Sequence, residues 1–353
     1  MLETPTSFAY NAYAMIILGI ETSCDETSAA VLDDGVVKSN IISSQLVHQK
    51  YGGVVPELAS RAHQRLIIPV VEEALQKAGA TKDQLDGVAA THGPGLAGAL
   101  LVGLNFAKAF AYGLKVPFVG VNHMEGHLYS NFLLPEPPSY PFLSLIVSGG
   151  HTMLVHVEAA FQHTVLGQTR DDAAGEAFDK VAKMLGLGYP GGPIVDKLAA
   201  TGNPRAISFP RAFLDEGAYD FSFSGIKTAV LYYLKKRGLL DSSTSRSTIV
   251  EKHLADICAG FQAAVVDVLV AKTIRAAGKL GLKEVTLAGG VSANSFLRKR
   301  MKEECTRHGF RLFYPPLEYC MDNGAMIGYV GWMKLADGQT SELTLGATAN
   351  LSL

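Results

Sequence analysis

The sequence predicts an α/β protein of two successive lobes with a duplicated architecture, and three observations carry that reading. The first is an opening hairpin. Apolar residues 15–19 enter the polar stretch ETSCDET (21–27), a second strand (28–32) leaves it, and Asp34-Gly35 offers a tight turn into Val36 and Val37. The second is that the pattern restarts near residue 140. There YPFLSLIVSGGHTMLVHV again reads strand, polar loop, strand, with Ser148-Gly149-Gly150-His151 in the loop's place. The echo is architectural; the residues themselves do not repeat. The third is bulk: 353 residues, 48% hydrophobic and 18% charged, suffice for two packed lobes and resemble a soluble enzyme in composition.

The remaining elements follow in order. Residues 56–78 read as an amphipathic helix, with Leu58, Ala62, Leu66, Val70 and Ala74 at helical spacing. LDGVAATHGPG is a buried strand running into a Gly-Pro-Gly loop, LAGALLVGLNFAKAFAYGL an apolar helix, and PFVGVNH a strand that ends at a histidine pair. After the second hairpin come a helix over 172–187, the Gly/Pro-rich stretch GYPGGP, the motif FSFSGIKTAV and a long helix near 249–280. EVTLAGGVSANSFLRKRMKEEC gives strand, glycine loop and helix, followed by FYPPLEYCMDNGAMIGYVGW and a short tail. Residues 1–14, without Lys or Arg, read as a disordered lead-in, and Lys/Arg/Ser-rich residues 234–248 as an exposed, mobile connection. The expected N-terminal lobe takes 15–139 with 324–353, and the C-terminal lobe 140–323.

Bulk properties exclude several classes. No apolar run approaches the ~20 residues of a membrane helix, the longest (96–102) being broken by glycines, so no membrane is expected as a partner. Net charge is −2 and the pI about 6.6, whereas a chain that grips nucleic acid alone is usually basic. A nucleic-acid substrate would need a local patch or a partner for its phosphates. Cys24, Cys258, Cys305 and Cys320 are widely spaced, as reduced thiols of a cytoplasmic protein are.

NHMEGHLYS (122–130) places His123 and His127 four residues apart with Glu125 between them. On a helix, residues at that spacing lie about 6 Å apart on one face, and both rings can reach one ion. Glu125 falls roughly 200° round the helix from the first histidine, so the zinc-protease base is missing. The best third ligand is Asp322 in YCMDNGAM, for which a helix-capping role is an equal reading. Two histidines and a carboxylate would leave coordination positions open, which marks a catalytic or ligand-orienting metal.

SGGHT (148–152) and AGGVSAN (288–294) are glycine loops directly after apolar strands. Their backbone N–H groups can approach a phosphate or ribose, although glycine is also common in plain strand-to-helix turns. Two such loops favour nucleotide binding, with Asn294 able to bond a base or sugar. Asp179 lies on the polar face of a helix, and Gly192 and Asp196 on what reads as a further close-approach loop; a carboxylate there suits ribose hydroxyls. In ETSCDET, nothing activates Cys24, and Asp25 reads as a general base or a polar group beside a phosphate.

Taken together, GIETSCDETS, HMEGHL, VSGGHT, DDAAGEAFDKVAKMLGLGYPGGP, FSFSGIKTAV, AGGVSAN and MDNGAMI closely resemble the tRNA threonylcarbamoyladenosine transferases, formerly labelled a sialoglycoprotease, over about residues 15–330. The resemblance implies an actin/sugar-kinase/heat-shock-ATPase-like fold, with a mixed five-stranded sheet in each lobe. It implies transfer of threonylcarbamoyl from threonylcarbamoyl-adenylate to the exocyclic amine of the adenosine 3′ of the anticodon, in tRNAs reading ANN codons, with release of AMP. By position it implies His123, His127 and Asp322 as ligands of one divalent metal, Fe(2+) first and Zn(2+) as competitor. It implies Ile146, Val147, Ser148, Gly149, Gly150, Asp179, Gly192, Asp196 and Asn294 as adenylate contacts, and Asp25 near the reacting centre. The base stays open between Asp25, Glu26 and a substrate phosphate. Implied partners are tRNA, a paralogous inactive subunit forming a heterodimer, and a small P-loop ATPase. A small-molecule kinase or ATPase of the same fold, and a metallopeptidase, are the alternatives.

Overall fold

The first hairpin forms where the sequence places it. β1 (Ile16–Glu21) pairs antiparallel with β2 (Glu26–Asp33), which pairs antiparallel with β3 (Val36–Ser44). Asp34 and Gly35 take φ values of 50° and 76°, the left-handed pair that a tight hairpin turn demands. β4 (Gly87–Gly93) and β5 (Phe118–Asn122) add in parallel beyond β1, giving the order β3-β2-β1-β4-β5. The structure, a computed structural model, describes residues 14–213, 217–239 and 246–353. The expected lead-in thus lies outside the described residues except for residue 14.

The second hairpin is β6 (Phe142–Val147) and β7 (Thr152–Ala159). β8 (Gln162–Gln168) extends it on one side, and β9 (Glu284–Ala288) and β10 (Arg311–Phe313) in parallel on the other, in the order β10-β9-β6-β7-β8. Strand for strand this repeats the first sheet, so the expected pair of mixed five-stranded sheets is what the described residues form. The sequence reading had no counterpart of β8, whose residues are largely solvent-facing and polar.

The chain divides into two compact units. Among the described residues, one holds 14–45, Val54–Tyr129 and Asp322–Leu353; the other holds Leu46–Gly53 and those between Ser130 and Met321. In the first unit, Leu18, Ile20, Ala29 and Val31 of the sheet pack against Ile67, Val70 and Val71 of α1 (Pro56–Ala78) and Leu104, Ala107 and Ala111 of α2 (Ala97–Leu114). The buried face of α1 is Ala59, His63, Ile67, Val70, Val71 and Ala74, turned from the expected stripe because the polar His63 belongs to it. After β5 comes α3 (His123–Tyr129). α9 (Gly324–Ala336) lies on the sheet at Gly19, where a Cβ would stand 2.4 Å from the Gly324 carbonyl oxygen and the Gly328 nitrogen.

The second unit surrounds its sheet with α4 (Ala174–Met184), α5 (Gly191–Ala199), α6 (Ser224–Lys236), α7 (Arg246–Leu280) and α8 (Ser295–His308). Leu143, Leu145 and Val147 meet Phe178 and Val181 of α4 and Phe261, Val265 and Leu269 of α7 in its core. α5 corrects the reading of GYPGGP as loop: Gly192 and Asp196 are helical, and Pro193 sits in a first turn where its missing N–H costs nothing. The expected connection 234–248 is also shorter, since α6 runs to Lys236 and α7 starts at Arg246; residues 240–245 lie outside the described ones. By length and mean hydropathy alone, α2 and residues 253–280 of α7 are long and apolar enough to cross a membrane, although polar residues interrupt both. The α7 stretch is 72% buried inside its unit, the placing of a core helix.

Candidate functional site

β5 delivers the chain into α3 with no intervening loop, so the sheet itself fixes where the histidine helix starts. Asn122 caps it: its Oδ1 accepts from the Met124 N–H at 2.8 Å. One turn apart, the rings of His123 and His127 stand edge to face with centroids 4.7 Å apart. Asp322 comes from the other end of the sequence, just before α9. The cap of α9 is Asn323, whose side chain accepts from Met326 N–H at 3.0 Å. Asn323, and not Asp322, thus holds the cap position of α9. Its Oδ1 lies 3.1 Å from His127 Nε2 and 3.5 Å from His123 Nε2.

The donor atoms of His123, His127 and Asp322 all fall within 4.8 Å of one another. Both histidines are buried, and the Asp322 side chain is 20% exposed. Two imidazole nitrogens converging on one carboxylate oxygen are a donor set that a divalent cation fits, with open positions left for substrate. Glu125 points elsewhere, as its spacing requires, and pairs with Lys334 at 2.6 Å.

The sequence reading missed Glu21. This carboxylate ends β1 fully buried, with Oε2 2.9 Å from His123 Nδ1 and accepting from Thr91 Oγ1 at 2.7 Å, while Oε1 accepts from the Ser23 N–H. The available signal was an acidic residue closing an otherwise apolar strand, since a buried carboxylate requires partners. With Nδ1 of His123 engaged, Nε2 is the nitrogen turned to Asp322. Burial works against a charge on His123. The carboxylates of Asp322 and Glu21 outweigh it and raise the imidazolium's pKa to about 9.

The loop between β1 and β2 adjoins this centre. Ser23 Oγ lies 3.2 Å from His123 Nδ1. Burial, then the charges of Asp322 and Asp25, push Glu26 well above the usual carboxylate range, and it hydrogen-bonds Asp25. Burial, then Asp25, Asp322 and Glu26, push the Cys24 thiol far up, so it is not an activated nucleophile. Buried His63, also missed, joins α1 to the loop through Thr27 Oγ1 at 2.8 Å and the Cys24 carbonyl at 2.9 Å.

The expected adenylate residues gather in the second unit. Ile146 and Val147 end β6 with their side chains in the core, so only their backbone is available to a ligand. Ser148 Oγ accepts from His151 N–H at 3.1 Å and so closes the loop on itself. Gly149 and Gly150 are exposed, and a Cβ on either would meet open space. At Gly175 and Gly289, by contrast, a Cβ would lie 2.5 Å from the carbonyl oxygens of Ser148 and Val147, so α4 and the loop after β9 press directly on the loop after β6. Asp179 accepts from Gly191 N–H at 2.7 Å and fixes the start of α5. Asp196 accepts from both Ser295 N–H and Oγ at 2.9 Å. Asn294 caps α8 through Leu297 N–H at 2.9 Å and donates to Gln262 at 2.8 Å. These polar side chains thus bind the glycine loops and helix starts to one another.

Comparison with known proteins gives a consistent result. A family model described as tRNA N6-adenosine threonylcarbamoyltransferase matches residues 35–329. A protein of that name from Salinibacter ruber is 58% identical over 340 residues, spanning 96% of this chain and all of its own length. Another from Desulforapulum autotrophicum is 54% identical over 331 residues, 93% of this chain and 97% of its own. Among solved structures, HypF of T. kodakarensis superposes with a TM-score of 0.62 at 16% identity, over 96% of this chain and 50% of that one. An activator of 2-hydroxyisocaproyl-CoA dehydratase from Clostridium difficile gives 0.52 at 14% identity, over 92% and 96%. These two share the fold, in agreement with the actin-like architecture.

Proposed function

Because the chain belongs to the tRNA N6-adenosine threonylcarbamoyltransferase family, we propose that it moves a threonylcarbamoyl group from threonylcarbamoyl-adenylate to the exocyclic amine of the adenosine 3′ of the anticodon in tRNAs reading ANN codons. The observation that carries this reading is the convergence of His123, His127 and Asp322 in a chain matched to the family over residues 35–329. The reaction makes one C–N bond between that amine and the carbamoyl carbonyl carbon. It breaks the bond from that carbon to the phosphate oxygen, AMP leaves, and the amine gives up one proton.

A divalent metal held by His123, His127 and Asp322 would supply Lewis-acid polarisation of donor oxygens. The family resemblance puts Fe(2+) first, and two imidazoles with a carboxylate suit Zn(2+) as competitor. Glu21 keeps His123 oriented by engaging Nδ1. Asp25 takes the proton of the attacking amine; Glu26, pushed towards its protonated form, donates to Asp25 rather than competing as base. In the second unit, the exposed backbone of Gly149 and Gly150 accepts the adenylate phosphate, while Asp179, Gly192, Asp196 and Asn294 shape the nucleotide's pocket. The donor is already an activated anhydride, so holding AMP as leaving group is the main work of these loops.

The partners in this reading are tRNA, a paralogous inactive subunit in a heterodimer and a small P-loop ATPase, in the cytoplasm. The chain's charge of −2 fits this reading, because without net positive charge the phosphate grip falls to a local patch or to partners. The test is transfer in vitro with partners, unmodified tRNA and synthetic threonylcarbamoyl-adenylate. Modified adenosine should appear together with AMP in excess of the enzyme-free hydrolysis background; no modified tRNA with every component present would reject the reading.

A further inference from the structure

Residues 341–352 of the first unit run as a strap over the ends of β4 and β5. Ser341 donates its N–H to the Phe118 carbonyl at 2.8 Å, and its Oγ accepts from Gly120 N–H at 3.0 Å. The Leu345 carbonyl accepts from Lys108 Nζ at 2.9 Å, and Thr348 N–H donates to the His92 carbonyl at 2.8 Å. The Ala349 carbonyl accepts from Gly95 N–H at 3.1 Å, and the Ser352 carbonyl from Asn122 Nδ2 at 2.8 Å. At two positions beneath it the fit leaves no room for a side chain. A Cβ on Gly93 would stand 2.1 Å from the Thr348 carbonyl oxygen, and one on Gly120 2.3 Å from Leu345 Cδ2.

Two routes lead from this strap to the histidines. The first is Asn122. Its amide nitrogen is held by the Ser352 carbonyl, so its oxygen is the atom presented to Met124 N–H at the first turn of α3. A helix of seven residues closes few bonds of its own and depends on such a cap. The second is the loop 92–96 under Thr348 and Ala349. Gly95 packs so closely on Ser23 that a Cβ would lie 2.6 Å from its carbonyl oxygen, and Leu96 N–H donates to that oxygen at 2.8 Å. Ser23 Oγ in turn lies 3.2 Å from His123 Nδ1.

We propose that residues 341–352 are a positioning element of the metal centre: by holding the Asn122 amide and the loop 92–96, they fix α3 so that both imidazoles face Asp322. This rests on reading His123, His127 and Asp322 as metal ligands. Through Asn122 and the loop 92–96 its action is on their placement and hence on affinity for the ion, the usual province of groups behind the ligands.

The test titrates Co2+ alone into purified, metal-free protein and follows the visible absorption of the bound ion. Wild type is compared with Asn122→Asp, with a chain stopped after Ala347, and with both changes together. Asn122→Asp keeps the cap acceptor but sets an oxygen against the Ser352 carbonyl. Each single change should weaken the Kd for Co2+ about tenfold and alter the absorption band, as loss of an outer hydrogen bond does. The double change should add little to the truncation, because stopping after Ala347 already removes the Ser352 carbonyl that Asn122 holds. Thermal unfolding of the metal-free proteins separates this from general destabilisation, which moves the melting temperature but not the affinity of the protein still folded. If wild type takes up Co2+ and both folded Asn122→Asp and the folded chain stopped after Ala347 bind it within about twofold of wild type, the strap has no positioning role. If wild type itself binds no Co2+, it is the metal reading that falls.

Discussion

The Glu21 carboxylate stands 2.9 Å from Nδ1 of His123, with both side chains shut away from water. Glu21 is the last residue of β1, the middle strand of its sheet, and is also held by Thr91 of β4. The orientation of His123 is thus inherited from the best-buried part of the first unit. A neutral imidazole kept as its Nδ1–H tautomer by a carboxylate offers Nε2 outward as a lone-pair donor.

Replacing that carboxylate should loosen the ion without removing a ligand. Glu21→Gln is expected to weaken Zn2+ affinity by about 10–100-fold, as measured by competition with a chromophoric chelator. An affinity equal to that of wild type would show that His123 needs no partner behind it.

The proton on His123 should oppose metal uptake. Its pKa is raised from 6.5 to about 9 in the metal-free protein. A raised folded-state value stabilises the fold fully below about pH 6.5, and this share is lost as pH climbs through about 9. Thermal melts of chelator-treated protein should therefore decline over that window. Metal affinity should rise across it and then level, because the ion must displace the proton. Calorimetry in buffers of different ionisation enthalpy would count the proton released; zero release near neutral pH contradicts the assignment.

Cys24 should be chemically quiet despite its place in the polar loop. Burial and three nearby carboxyl groups push its thiol far above the ordinary range. Iodoacetamide at neutral pH should leave it unlabelled in folded protein, and Cys24→Ser should keep transfer within about threefold of wild type. Rapid labelling, followed by mass spectrometry of the peptide, would restore it as a candidate nucleophile.

Gly19→Ala tests how closely α9 must approach the sheet. The added methyl would sit 2.4 Å from backbone atoms of Gly324 and Gly328, neither of which can swing aside. A loss of roughly 3 kcal/mol or more in denaturant unfolding is expected, at the upper end for overpacked cores. Asp322 lies just before α9, so metal affinity should fall with it.

The hairpins, the histidine helix and the glycine loops were legible because each depends on local chemistry: a left-handed Asp34-Gly35 turn, a four-residue spacing, glycine after an apolar strand. The bounds of α1 match its periodicity, yet its buried face does not, because His63 faces inward to bond Thr27 and the Cys24 carbonyl. Polarity in a sequence cannot report a partner 36 residues away. Glu21 was passed over for the same reason, its bonds reaching to Thr91 and His123. α5 was hidden by GYPGGP, since glycine and proline signal turns unless the proline falls in a helix's first turn. For Asp322 the sequence leaves two roles open; the capping one is filled by its neighbour Asn323.

The most direct measurement is mass spectrometry of tRNA nucleosides from cells depleted of this protein and rescued with wild type or His123→Ala. Threonylcarbamoyladenosine should vanish on depletion and return with wild type alone. If it persists after depletion with no second copy of the gene, or returns in full with His123→Ala, the reaction or the metal centre assigned to this chain is wrong.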